Sequence, residues 1–221
     1  MKGKLVIFGT GCIAQLAHYY FTKDSNYEVV AFTVDAGYKT EDTFCGLPVI
    51  AFNKLVSSYS ADDVSVFVAL SYSQLNAIRK EKYLTVKNLG YRIASYISSK
   101  AIVLNDGAVG ENCFILEGCI LQPFSCIGNN VTIWSGSHIG HHSVIKDHVF
   151  VAPSVSISGS VMIGEQCFLG INSTLRNNIV IGERCVVGAG ALLSGNAAPD
   201  GVYKGLSAKR LNKKSSELKG I

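Results

Sequence analysis

Proline is scarce in this chain, with four in 221 residues against 22 glycines. The many tight turns are therefore not built on proline, and residues that tolerate unusual backbone angles must make them. Charge is scarce too. Charged residues make up 16% of the chain and hydrophobic ones 48%, a balance that excludes a disordered protein and points to a large buried core. No stretch approaches the roughly 18 apolar residues of a membrane-spanning helix. The opening "MKGKLVIFGTGCIAQ" has a short apolar run, but glycines break it and no cleavage-like site follows. It reads as a buried first strand and not as a secretion signal. No CxxC pair stands among the seven cysteines, which argues against a structural zinc site and for reduced, mostly buried thiols in a cytoplasmic protein. The net charge of +4 gathers in the tail, where Lys204, Lys209, Arg210, Lys213, Lys214 and Lys219 face only Glu217. No aromatic–basic cluster accompanies it, so nucleic-acid recognition is not expected and the tail reads as a solvated end.

The second half of the chain has a strict rhythm. Every sixth residue from Val103 to Leu193 is Ile, Leu or Val. The fifth position of each hexad is small or β-branched, and four times it is cysteine (Cys113, Cys119, Cys167 and Cys185). This is a hexapeptide β-helix repeat, with both positions pointing inward. "VGENCF", "IGNNVT", "IKDHVF", "IGEQCF" and "IGERCV" recur at every third hexad, so 18 residues make one coil of a triangular prism. Residues 18 apart become vertical neighbours at roughly strand spacing, about 4.8 Å. The segment "GVYKGLSAKRLNKK" is expected to cover the C-terminal end of the stack.

The first half alternates strands and helices. "KLVIFGTGCIAQLAHYYF" reads as strand, glycine turn and helix, "YEVVAFTVD" and "VSVFVAL" as strands, "SQLNAIRKEKYLTVKNLG" as a helix stopping at Gly90, and "YRIASYIS" as a fourth strand entering the repeat. The expected organisation is an α/β domain with a small parallel, half-Rossmann-like sheet over residues 1–100, a left-handed parallel β-helix over 101–198, and a cover and tail over 199–221. Gly9, Gly11 and Ala14 form GxGxxA at the first turn, with Asp35 at the end of the second strand. That pattern can place backbone N–H groups at a phosphate and a carboxylate at a ribose, although such turns also serve helix–sheet packing. Thr10 and Ser71 complete the candidate nucleotide set. A single half-fold suits one nucleotide moiety and excludes NAD and hydride chemistry.

Four of the five histidines fall within "SHIGHHSVIKDH". A metal centre would need three or four converging ligands, and no cysteine or carboxylate column joins them, so no metal is expected. His148 and His138 read as polar residues on a solvated face. His141 differs, because it stands third in its hexad at a prism corner with Pro123 and Gly159 as vertical neighbours. A base and an exposed backbone N–H one strand spacing apart suit acyl transfer.

The chain resembles the bacterial sugar acyltransferases grouped as sialic acid O-acetyltransferase-like, which include N-acetyltransferases of nucleotide-linked amino sugars. The resemblance is carried by "FGTGCIA", "AFTVD" followed by "CGLPVI", "LGYRIASYISSKA", "HHSVI", "VAPSVSISGSVMIGEQCFLGINSTL" and "GVYKGLSAKRL". It implies a homotrimer with acetyl-CoA in the groove between adjacent prisms and the sugar nucleotide on the N-terminal domain. It puts the general base on His141 and the thioester-oxygen donor on the Gly159 N–H. It also puts Gly170, Gly188, Ala189 and Lys209 along the CoA, and Phe150 where many relatives carry a cofactor-contacting histidine. His142 stands where the family usually has an acidic partner for the base, and it is counted with the catalytic residues. The implied activity is N-acetylation of a nucleotide-linked amino sugar for surface glycans. Sugar O-acetylation and a non-catalytic trimeric scaffold are the alternatives.

Overall fold

The structure is a computed structural model and describes residues 2–210, 212 and 214–217. Lys213 and Lys219 of the basic tail lie outside the described residues. The N-terminal lobe is a six-stranded sheet in the order β3-β4-β2-β1-β5-β6. Its strands are β1 (Gly3–Phe8), β2 (Tyr27–Val34), β3 (Thr43–Phe44), β4 (Leu47–Ala51), β5 (Val64–Val68) and β6 (Arg92–Ile93). Helices cover both faces, which is why β1 and β5 read as continuous apolar runs. Helix α1 (Cys12–Lys23) packs Ala14, Ala17 and Phe21 on one side, while α2 (Leu55–Ser58) and α3 (Ala77–Asn88) pack Leu55, Tyr83 and Val86 on the other.

Three details depart from the sequence expectation. "TFCGLPVIA" makes an antiparallel hairpin, β3–β4, turning at Cys45 and Gly46, whose φ values are 49° and 77°. The helix expected from "SQLNAIRK" starts only at Ala77, because Gln74, Leu75 and Asn76 all take left-handed angles. "YRIASYIS" is two strands. Arg92–Ile93 ends the lobe's sheet, and Tyr96–Ile97 opens the prism after the chain crosses at Ala94 and Ser95.

From Tyr96 the chain winds as a left-handed parallel β-helix with three flat faces. The first face runs from Tyr96–Ile97 to Val202–Tyr203, the second from Ile102–Val103 to Leu192–Leu193, and the third from Cys126–Ile127 to Val180–Ile181. Vertical partners are 18 residues apart, as in Ile120↔His138 and His138↔Ser156. The inward Ile, Leu and Val residues and the four inward cysteines form one buried column, while Cys12, Cys45 and Cys126 are exposed free thiols. The fourth residue of every hexad from Asp106 to Gly190 has a positive φ. This left-handed corner costs an ordinary L-residue about 1–2 kcal/mol, which explains the frequent Asn, Ser and Gly there.

The lobe sits on the first face and buries its outward residues Tyr96, Phe114, Thr132 and Phe150. A polar ladder pins the two together. The Asn112 side chain bonds both main-chain groups of Val68 and donates to Asn130 Oδ1, and Asn130 Nδ2 lies 3.0 Å from His148 Nδ1. Beside it, Arg79 is 1% exposed and donates to Thr132 Oγ1, Asn76 Oδ1 and the carbonyls of His148 and Val149. Among the described residues no carboxylate pairs with Arg79, and burial pulls its pKa down to about 10. His148 therefore corrects the sequence reading. It is 4% exposed, packed against Tyr83, because its prism edge is the one the lobe covers.

The expected C-terminal cover falls partly outside the described residues. Ala197 bridges to Ile181 and Val202–Tyr203 adds a last rung to the first face. Beyond Gly205 the chain leaves the stack, and Leu206 is wholly exposed.

Candidate active site

His141 sits on the prism edge between the second and third faces, between rungs His138–Ile139 and Val144–Ile145. The repeat fixes its main chain from both neighbouring coils. Its N–H donates to Gln122 Oε1 at 2.9 Å, and its carbonyl accepts from the Ser160 N–H at 2.8 Å. Next door, the buried Ser143 hydroxyl donates to the Ser158 carbonyl and accepts from the Val161 N–H. The side chain is exposed while its backbone is rigid, as a group meeting a substrate should be.

The imidazole lies against the next coil at Gly159. A Cβ built there would come within 2.5 Å of His141 Cε1 and 2.6 Å of Nε2. At Gly140, Gly164 and Gly170 an added carbon would meet the main chain of the next coil, so stacking explains those glycines. At Gly159 the atoms met belong to the His141 ring. The Gly159 N–H has no acceptor among the described residues. A ring nitrogen and a free N–H thus stand side by side, the arrangement that takes a proton from a nucleophile and holds an oxyanion.

The adjacent His142 is also exposed, with its Nδ1 3.0 Å from His141 Nδ1. Its ring packs against Phe124, one coil away, with centroids 4.8 Å apart and the planes tilted by 37°. Neither Gln122 nor Phe124 was picked out from the sequence. Applying the 18-residue spacing to Gly140 and His142 would have found both.

The expected cofactor residues divide. Gly170 is buried and Gly188 half-buried, and the neighbouring coil or the last rung accounts for the missing side chain at each. Ala189 is an exposed corner, and Lys209 is exposed in a segment without regular structure. Phe150 is a correction, since it does not face an open groove. It is 4% exposed, stacked on Phe168 and capped by Tyr72.

On the lobe, the carboxyl ends of β1, β2 and β5 frame a cavity of about 300 Å³ lined by Gly9, Thr10, Asp35, Tyr38, Leu70 and Lys82. A smaller one of about 150 Å³ adjoins it and shares Thr10 and Tyr38. Open α/β sheets bind ligands in this position. Gly9 needs to be glycine for the fold, because its φ is +122° and a Cβ would lie 2.9 Å from the Ala69 carbonyl. Gly11 does not, because a Cβ there meets nothing within 4 Å. Gly11 caps α1 with no side-chain hydrogen bond, leaving the helix N-terminus open. Asp35 is not a free carboxylate, as it pairs with Lys82 Nζ at 2.9 Å. Ser71 is half-buried just past β5 and does not line the cavity.

Residues 107–141, 127–159 and 160–195 match the family described as bacterial transferase hexapeptide (six repeats). Together these matches span residues 107–195, within the prism. No curated protein matches the chain in sequence. Among solved structures, the hexapeptide prism and its lobe are similar to the acetyltransferase domain of PglB from Neisseria gonorrhoeae in complex with acetyl coenzyme A. The TM-score is 0.82 and the identity 23%, covering 96% of this chain and 100% of that one. A histidine-to-asparagine mutant of perosamine N-acetyltransferase from Caulobacter crescentus, in complex with CoA and GDP-perosamine, gives a TM-score of 0.80 at 22% identity, over 94% of this chain and 96% of that one. WeeI from Acinetobacter baumannii gives 0.57 at 21% identity, over 86% and 96%. At these identities the likeness is one of fold, and it extends to the lobe as well as to the hexapeptide prism.

Proposed function

We propose that the chain is an acetyl-CoA-dependent N-acetyltransferase acting on a nucleotide-linked amino sugar in the cytoplasm, for surface glycan synthesis. The observation that carries this reading is the His141 imidazole resting on Gly159, beside an N–H without an acceptor among the described residues. The acceptor amine attacks the thioester carbon. The N–C bond forms first and gives a tetrahedral oxyanion, His141 Nε2 takes the proton the amine sheds, and the C–S bond then breaks to release a thiolate that receives that proton. The Gly159 N–H steadies the carbonyl oxygen between these events. CoA complexes of two proteins sharing this fold support the co-substrate, and GDP-perosamine in one of them supports the acceptor class.

The open N-terminus of α1 at Gly11 and the adjoining cavity hold the nucleotide diphosphate, with Thr10 and Tyr38 between the two cavities. The active assembly is a homotrimer. Beside the His141 edge the third face presents Cys126, Val144, Met162 and Val180 in one outward row, all but Val144 exposed. A second copy against that row closes a groove over His141 for the CoA arm, while Ala189 stands on a different prism edge, between the first and second faces. A thermal-shift screen with UDP-, dTDP- and GDP-linked amino sugars, each with and without CoA, tests the reading. Stabilisation by one nucleotide class supports it. No stabilisation by any of them, nor by CoA, would leave a trimeric scaffold.

A further inference from the structure

His141 and His142 are in contact through like atoms. Two Nδ1 nitrogens stand 3.0 Å apart, so one must carry the hydrogen and the other must offer its lone pair. The direction of that bond fixes the tautomer of both rings, because a neutral imidazole has a single N–H. If His141 Nδ1 donates, its Nε2 is left with a lone pair that can take a proton. If His142 Nδ1 donates, His141 must carry its hydrogen on Nε2 and can take no proton there.

The corner residues of the adjoining coils are Gln122, Pro123 and Phe124 on one side and Ser158, Gly159 and Ser160 on the other, none of them charged. The nearest charged corner residues, Asp106 and Arg176, are two coils away. No carboxylate is placed to accept the His141 Nδ1–H. The backbone at this corner shows a second feature. Phe124 and His142 both occupy the left-handed position, with φ 63° and 58°, and Phe124 is 66% exposed. A bulky aromatic residue in that conformation on the surface costs stability without burying its ring. What the ring does is pack against His142, tilted by 37° with centroids 4.8 Å apart.

We propose that His142 is the positioning residue of the base. It accepts the His141 Nδ1–H through its own Nδ1, keeps its hydrogen on Nε2, and is held in that rotation by Phe124. The partner of the base is thus a neutral ring instead of a carboxylate. The kinetic part of this proposal rests on the acetyltransferase reading above, but the tautomers themselves do not.

Donor and acceptor substitutions at this position separate the possibilities. Gln or Glu at 142 still accepts the hydrogen bond, whereas Lys can only donate. His142→Gln and His142→Glu are expected to keep kcat within about tenfold of the wild type, while His142→Ala loses about 10- to 100-fold. His142→Lys forces the wrong tautomer and is expected to lose about 10³- to 10⁴-fold, with KM for acetyl-CoA unchanged. The decisive readout needs no substrate. In ¹⁵N-histidine-labelled protein, which has five histidines, His141 is expected to be protonated on Nδ1 and His142 on Nε2. His142→Lys should move the His141 hydrogen to Nε2, and Phe124→Ala should blur the assignment of His142. A wild-type His141 carrying its hydrogen on Nε2, or a His142→Lys enzyme with normal kcat, overturns the proposal. The expected tautomers in a protein that acetylates no nucleotide-linked amino sugar would uphold the pair and overturn the acetyltransferase reading.

Discussion

The His141 ring fills the space where a Gly159 side chain would begin: a Cβ at Gly159 would lie 2.5 Å from Cε1 of the ring, one coil away. What a side chain at Gly159 would meet first is the His141 ring. The Gly159 backbone does not need a positive φ, and the three atoms nearest to an added Cβ all belong to the His141 ring. Gly159→Ala should push the imidazole aside and lower kcat by about 10²- to 10³-fold. The melting temperature should move little, since His141 is a surface side chain free to rotate away. Steady-state kinetics beside a thermal melt reads both. A large loss of stability with kcat preserved would mean that the glycine serves the coil and not the base.

The two glycines of the first turn should behave in opposite ways. Gly9→Ala meets both a positive φ and the Ala69 carbonyl, so it should destabilise the lobe. A Cβ at Gly11 meets nothing within 4 Å, and Gly11→Val should leave the melting temperature in place. It should weaken nucleotide-sugar binding by roughly tenfold or more, because its side chain projects where a phosphate approaches α1. Calorimetric titration of Gly11→Val settles this. Unchanged affinity would move the nucleotide away from this turn.

Arg79 holds the lobe to the prism. Arg79→Met would leave Thr132, Asn76 and two carbonyls without their donor. The expected cost is about 3 kcal/mol, or about 6–12 °C in melting temperature for a chain of this size. A variant melting with the wild type would show that the interface stands on its aromatic contacts alone.

The buried His148 makes the fold sensitive to acid. Burial, first, and the neighbouring Lys80 push its pKa down to about 4, while Asp147 pulls the other way. In the unfolded chain a histidine titrates near 6.5, so between these values the unfolded state binds more protons. The stability that the neutral ring contributes is complete above about pH 6.5 and is lost as pH falls through about 4. His148→Gln should flatten that part of the melting temperature against pH curve. An equally steep curve in the variant would assign the acid loss to other groups.

How much of this was legible in the sequence depended on what kind of force placed each residue. Coil stacking repeats every 18 residues, so the prism, its buried cysteines and the His141–Gly159 column followed from counting. Lobe-to-prism packing has no period. His148 and Phe150 occupy the same hexad positions as solvent-facing residues elsewhere, and only the lobe resting on the first face buries them. The left-handed turn at Gln74–Asn76 was hidden for a similar reason. It is held by an Asn76 bond to the Cys167 carbonyl, 91 residues away, which no local propensity reports. The Asp35–Lys82 pair joins a strand end to a helix across the sheet, and spacing could not suggest it.

The most direct measurement is the rate of thiol release from acetyl-CoA with a panel of nucleotide-linked amino sugars, in the wild type and in His141→Ala, with the product weighed by mass spectrometry. The expected result is turnover with one nucleotide class, a product heavier by one acetyl group, and a loss of about 10³-fold or more in the variant. Equal rates in the two proteins would contradict His141 as the base, and no turnover with any acceptor would contradict the acetyltransferase itself.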